Sequence, residues 1–131
     1  IVVVTGGEPT LHDLEPLTRA LHASGRTIHL ETSGAYPLTG SFDWVTLSPK
    51  KFKPPVEANY AEAHELKVVV FNRTDLEWAL THAERCPPGT RLSLQPEWSA
   101  REKVMPLIVE FVKEHPRWTI SLQTHKYLQV P

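Results

Sequence analysis

Cysteine is almost missing: Cys86 is the one thiol in 131 residues. A single cysteine excludes an internal disulfide, fits a reducing compartment and hence a cytoplasmic chain, and cannot alone hold an iron–sulfur cluster, which takes several thiolates. Placed before Pro87-Pro88, it reads as structural. An excess of one charge is missing as well, with 14 Lys and Arg against 15 Asp and Glu, so nothing electrostatic points to nucleic acid or an anionic membrane as partner. No apolar run approaches the roughly 20 residues that cross a bilayer, and no secretory leader pattern is expected. Phosphate-binding glycine loops, nucleophile elbows, paired-histidine zinc motifs and internal repeats are also absent. His12, His22, His29, His64, His82 and His115 follow no ligand spacing.

What is present begins at once. Ile1-Val2-Val3-Val4 carries no polar alternation, which predicts a strand buried on both faces, as in a parallel sheet covered by helices. It runs into Thr5-Gly6-Gly7-Glu8-Pro9, where two residues without Cβ let a backbone approach a small molecule and Glu8 adds a negative charge. Because Ile1 is no initiator and a buried strand seldom opens a domain, the chain is expected to be one truncated core domain, residues 1–131, of a longer protein.

Strands and helices then alternate. Leu11, Leu14, Leu17 and Leu21 recur at helical spacing, with Asp13 as N-cap, Pro16 in the first turn and Gly25 at the close. Thr27 to Leu30 and Phe42 to Leu47 predict strands with no room for a helix between them. Lys50 to Pro55 reads as an exposed loop. Leu66 to Phe71 predicts a strongly apolar strand, and Thr74-Asp75-Leu76-Glu77 a capping box opening a helix that turns Leu76, Leu80 and Ala83 inward. Arg91 to Leu94 resume the sheet. Ser99-Ala100-Arg101-Glu102 predicts a second capped helix, kinked or started late because of Pro106, and Trp118 to Leu122 the last strand. Each polar motif follows an apolar strand, so Glu8, Glu31, Ser48, Lys50, Gln95 and His125 are expected to converge on one face of the sheet. Other readings stay open: Glu31, Thr32 and Ser33 could cap their own turn, Ser48-Pro49-Lys50 could end a strand beside a solvated lysine, and Trp98 could be a hydrophobic lid.

The string Thr5-Gly6-Gly7-Glu8-Pro9 resembles the S-adenosylmethionine-contacting turn of radical SAM enzymes. With Glu31-Thr32-Ser33-Gly34, Ser48-Pro49-Lys50, Glu65-Leu66-Lys67, Gln95-Pro96 and Gln123-Thr124-His125-Lys126 in that order, the chain resembles the 7-carboxy-7-deazaguanine synthase family along essentially its whole length. The resemblance implies a mostly parallel α/β fold, a partial radical SAM barrel. It implies cofactor contacts from Gly6, Gly7, Glu8, Glu31, Ser33, Ser48, Pro49, Lys50, Gln95, Pro96, Glu97 and Trp98. It also implies ring contraction of 6-carboxy-5,6,7,8-tetrahydropterin to 7-carboxy-7-deazaguanine with loss of ammonia, on the route to queuosine. The family's 4Fe–4S cluster hangs on three cysteines spaced C-x3-C-x2-C, with Mg2+ beside the third, so cluster and metal ligands are expected upstream of Ile1 and none within the chain. A homodimer is expected. A glycyl-radical-activating enzyme shares the Gly-Gly-Glu-Pro turn but not Gln123-Thr124-His125-Lys126, and a cluster-free binding module on the same scaffold is the third reading.

The pterin's aminopyrimidinone edge carries adjacent N–H donors that a carboxylate accepts as a fork. The carboxylate of Pro131 is a candidate for that fork, with Thr5 and His125 completing substrate recognition. A frayed terminus is the alternative.

Overall fold

The computed structural model describes residues 1–130, and Pro131 lies outside the described residues. Six strands form one sheet: β1 (Val2–Val4), β2 (Ile28–Thr32), β3 (Trp44–Leu47), β4 (Glu65–Val70), β5 (Arg91–Pro96) and β6 (Trp118–Ile120). They lie side by side in sequence order and every pair is parallel. Sequential parallel strands joined by crossovers of one hand carry their helices on one face, so this is an open segment of barrel and not a doubly wound sheet. The helices are α1 (Glu15–Ala23), α2 (Ala58–Ala61), α3 (Thr74–Ala83), α4 (Arg101–Glu114) and α5 (Thr124–Leu128).

Side chains alternate strictly across the sheet. Toward the helices, Leu66, Val68 and Val70 of β4 and Leu92 and Leu94 of β5 are buried under Ala79, Val104, Ile108 and Phe111, while Ile28 and Leu30 of β2 are also buried, Leu30 in a second cluster with Leu14 and Val45. The opposite face carries His29, Glu31, Thr46, Glu65, Lys67, Ser93 and Gln95, in matching register from strand to strand. That second face is polar and faces the hollow of the open barrel.

Strand β1 departs from the sequence expectation. Val3 is 53 % exposed and Ile1 79 %: within the described residues β1 pairs with β2 alone, and Val3, in register with His29, points to the open face. A uniform apolar run marks a strand but does not say how many neighbours it has. The leucine stripe on α1 is also only half realised. Leu14 is buried, Leu11 and Leu17 are exposed, and Thr18 takes an inward position, bonded to the loop after β2 through the Ser41 amide. Gly25 closes α1 as expected, with φ of 73°.

Neither capping box forms. Thr74 is already helical; Asn72 accepts from the Thr74 amide and hydroxyl, and Asp75 accepts from the amides of Phe71 and Asn72. At the second site the acceptor is Glu97, two residues before Ser99, and a short 3-10 turn, Trp98–Ala100, precedes α4. In both places a carboxylate or amide before the expected cap reached the free amides first. The helix α4 starts at Arg101 and runs past Pro106, which sits on the exposed side of the helix. The one-turn helix α2 lies past the loop expected over Lys50 to Pro55, in a stretch for which the sequence predicts no element, and it buries Asn59 and Tyr60.

Candidate functional site

The loops at the carboxyl ends of β1 to β5 enclose a cavity of about 250 Å³ on the open face. Gly6 and Gly7 hold φ of 89° and 52°, a conformation that strains any side chain. Nothing lies within 4 Å of where their Cβ atoms would stand. The turn after β1 therefore offers bare backbone to the hollow.

Glu8 is the knot of the site. Its Oε1 accepts from the Thr10 amide at 3.2 Å, the Thr10 hydroxyl at 2.7 Å and the Thr32 hydroxyl at 2.5 Å. Its Oε2 accepts from the Ser33 amide at 2.8 Å and from the Ser33 hydroxyl. Partial burial alone would raise its carboxyl pKa. The bonds from Ser33, Thr32 and Thr10 outweigh burial and lower it from 4.5 to about 2. Thr32 in turn accepts from the Gly34 amide at 3.0 Å. Gly34 admits no Cβ, which would come within 2.3 Å of Leu47.

Below this knot, Lys67 of β4 reaches Glu31 of β2 at 2.5 Å. The two strands flank β3, whose inward residue at that level is Thr46; a short side chain lets the two long ones meet above it. The indole of Trp44 donates to the Thr46 hydroxyl at 3.1 Å. Lys50 enters from the turn after β3 and lies 3.5 Å from the Ser48 hydroxyl. Burial, and next the neighbouring charge of Lys67, pull its pKa down, with Glu31 and Glu8 opposing. Two carboxylates and two ammonium groups thus share one small hollow, a donor and acceptor set suited to a zwitterionic ligand.

Of the residues singled out from the sequence, Thr5, Gly7, Glu8, Glu31, Ser33, Ser48, Lys50 and Gln95 line this cavity. Gly6, Pro49, Pro96, Glu97, Trp98 and His125 do not. Pro49 and Pro96 are buried beside it, and Glu97 caps its own 3-10 turn. Trp98 is packed between Arg101 at 4.3 Å and Tyr127 at 5.0 Å. His125 is exposed on α5, so the expected convergence does not extend to it. Pro131 lies outside the described residues. Thr32, Lys67 and Val69 line the cavity without having been named as site residues. Lys67 was legible as the polar member of a period-2 alternation, Glu65, Lys67, Val69, hidden by the apolar look of β4.

The residues present fit S-adenosylmethionine as a donor set: open glycine backbone, fixed carboxylates, a hydroxyl and a half-buried ammonium. They do not fit an iron–sulfur cluster. Cys86 is the single thiol, and burial pushes it up to about 11. Among the described residues no three His, Cys, Asp or Glu side chains gather as a metal site.

A sequential parallel sheet with helices on one face and a polar cavity around a Gly-Gly-Glu-Pro turn defines an open α/β-barrel binding domain. Known proteins make the assignment specific. The chain is 53 % identical over 129 residues to the 7-carboxy-7-deazaguanine synthase of Synechocystis sp., covering 98 % of this chain and 62 % of that protein. It is 37 % identical over 153 residues to the 7-carboxy-7-deazaguanine synthase of Prochlorococcus marinus, covering 99 % and 68 %. The crystal structure of QueE from Escherichia coli superposes with a TM-score of 0.82 at 30 % identity, covering 92 % of this chain and 55 % of that one. No family model matches. The chain belongs to the 7-carboxy-7-deazaguanine synthase family, and it spans 62 % of the length of the Synechocystis relative.

Proposed function

We propose that the full-length protein is a radical SAM lyase, a 7-carboxy-7-deazaguanine synthase. It contracts the ring of 6-carboxy-5,6,7,8-tetrahydropterin to 7-carboxy-7-deazaguanine and releases ammonia. The observation that carries this reading is the gathering of Gly7, Glu8, Glu31, Ser33, Ser48, Lys50 and Gln95, from four different strand ends, around one cavity. In this reading Gly6, Gly7 and Glu8 hold the methionyl end of S-adenosylmethionine, Glu8 contributing a carboxylate kept ionised by its five donors. Ser48 and Lys50 take the nucleoside, with Glu31, Ser33 and the Gln95-Pro96-Glu97-Trp98 segment beside it. Bound S-adenosylmethionine supplies the radical chemistry that starts the ring contraction. The 4Fe–4S cluster and Mg2+ are assigned to the full-length protein and not to these residues, where one thiol does not suffice.

Thr5, His125 and Pro131 are proposed for the pterin. For His125 this requires α5 to come over the cavity when substrate binds. The product belongs to the queuosine route of tRNA modification, and the enzyme is proposed to be a cytoplasmic homodimer with no nucleic-acid or membrane partner. No helix among the described residues is long and apolar enough to cross a membrane.

The test is Lys50→Ala in the full-length protein. The Kd for S-adenosylmethionine is expected to rise about tenfold, as for loss of one charge-assisted contact, with iron and sulfide content unchanged. Unaltered cofactor affinity would make Lys50 a bystander and remove the cavity from the reading.

A further inference from the structure

The turn that carries Lys50 is held from outside the cavity. Lys53 donates its backbone N–H to the Lys50 carbonyl at 3.3 Å, and the two residues form an isolated antiparallel bridge. Residues 50–53 therefore fold back on themselves, with Phe52 88 % exposed at the tip. Three of these four residues are lysines, so like-charge repulsion works to open the turn.

Two anchors oppose it. The Lys53 ammonium lies 3.6 Å from the ring centroid of Tyr36, in the loop after β2. The Lys51 ammonium pairs with Oδ1 of Asp75 at the head of α3 and lies 5.8 Å over the Trp78 ring. Asp75 is 3 % exposed. Its Oδ2 is already fixed by the amides of Phe71 at 2.7 Å and Asn72 at 2.9 Å. A carboxylate immobilised beforehand loses little further freedom when it receives a lysine, which makes this anchor stiffer than an ordinary surface ion pair. Lys50 has little other support: the Ser48 hydroxyl stands 3.5 Å away, and among the described residues no carboxylate pairs with it.

We propose that Asp75 is a positioning residue: through Lys51 it fixes the turn that presents Lys50 to the cavity, so that cofactor affinity depends on an acid that never touches the cofactor. The role rests on reading the cavity as the S-adenosylmethionine site. It also gives Asp75 a task beyond starting α3, since the two backbone amides use only one of its oxygens.

The experiment compares Lys51→Met, Lys51→Arg and Asp75→Asn with the parent in the full-length protein. It measures the Kd for S-adenosylmethionine and amide hydrogen exchange across residues 50–53. Lys51→Met is expected to raise Kd about tenfold through lost preorganisation and to speed exchange in the turn. Lys51→Met is also expected to lower the melting temperature, because it leaves Oδ1 of the buried Asp75 without its cation, so Kd and exchange are compared at a temperature well below unfolding. Lys51→Arg, which preserves the charge and the reach, should restore both readouts to within about threefold of the parent. Asp75→Asn should match Lys51→Met in Kd, and the double variant should be no worse than Asp75→Asn, since both changes cut one tie. If Asp75→Asn is too unstable to assay, the two Lys51 variants decide alone. A parent that binds S-adenosylmethionine while Lys51→Met shows parental Kd and parental exchange overturns the positioning role and leaves the cavity assignment standing. A parent that does not bind S-adenosylmethionine overturns the cavity assignment, and the role with it.

Discussion

Glu8 and Glu97 occupy locally equivalent places and do different work. Each follows a strand, and each accepts backbone amides at the head of a one-turn 3-10 helix, Pro9–Leu11 and Trp98–Ala100. Glu97 stops there. Its Oε2 serves the Ser99 amide at 2.9 Å, the Ala100 amide at 3.1 Å and the Ser99 hydroxyl, all within three residues. Glu8 goes further and crosses to the neighbouring strand, binding Thr32 and Ser33, more than twenty residues away in sequence. One carboxylate ends a turn, and the other sews strand β1 to β2 while shaping the cavity. Both carboxyl groups are held below the usual range, so the shift in pKa alone does not separate them. What separates them is where the donors come from.

Cutting the long-range knot should have the largest effect. Glu8→Ala strands the Ser33 amide and frees the hydroxyls of Thr10 and Thr32. Hydrogen bonds to a charged acceptor contribute about 1.5–3 kcal/mol each but are not additive, so a loss of about 3 kcal/mol is expected in urea denaturation. A loss below about 1 kcal/mol would reduce Glu8 to the standing of Glu97.

The second prediction uses acid. The folded-state pKa of Glu8 is depressed, from 4.5 to about 2. Its contribution is therefore fully present above the unfolded value and is lost as pH falls toward the folded one. Melting temperatures of the parent should drop between about pH 5 and pH 2 more steeply than those of Glu8→Gln, which carries no titrating group there. Parallel profiles for the two proteins would show that Glu8 is not held ionised by its neighbours.

Why one glutamate was legible as special, and only in part, follows from the same geometry. Most strands could be read along the chain because they are short apolar runs closed by turn residues, as with Leu66 to Val70. The site motifs could be read because Gly, Ser, Thr and Glu cluster at the ends of those runs, and parallel strands send all such ends to one face. The cross-strand donors could not be read. Thr32 looks like a local turn residue, and nothing near it in sequence reveals that its hydroxyl meets Glu8. Lys67 was passed over for a related reason: its partner Glu31 sits two strands away, above a Thr46 whose small size matters only once β3 lies between them.

A milder probe of the knot removes one donor and leaves the carboxylate. Thr32→Val keeps the shape of a residue that is 4 % exposed, yet loses the bond to Glu8 and leaves the Gly34 amide without its acceptor. A destabilisation of about 1–2 kcal/mol is expected. The acid-dependent slope should also become shallower than the parent's, because Glu8 loses one of the bonds that depress its pKa. An unchanged slope would assign the depression to Thr10 and Ser33 alone.

The smallest effect belongs to Glu97→Gln, and its smallness is what the comparison requires. Glu97 carries a depressed carboxyl through the Ser99 hydroxyl and the Ser99 and Ala100 amides, but the group is solvent-accessible and water replaces a lost acceptor there at little penalty. A glutamine in its place still offers a side-chain carbonyl to the same amides, so the 3-10 turn and the start of α4 should persist. The melting temperature at neutral pH is expected to stay within about 1 °C of the parent's, as surface changes of this kind do. Added salt should change that difference little. If Glu97→Gln instead destabilised the protein as much as Glu8→Ala, the contacts of the 3-10 turn would extend beyond its own three residues. The packing of Trp98 against Arg101 and Tyr127 would then be the place to look, since it is the route by which this turn reaches α5.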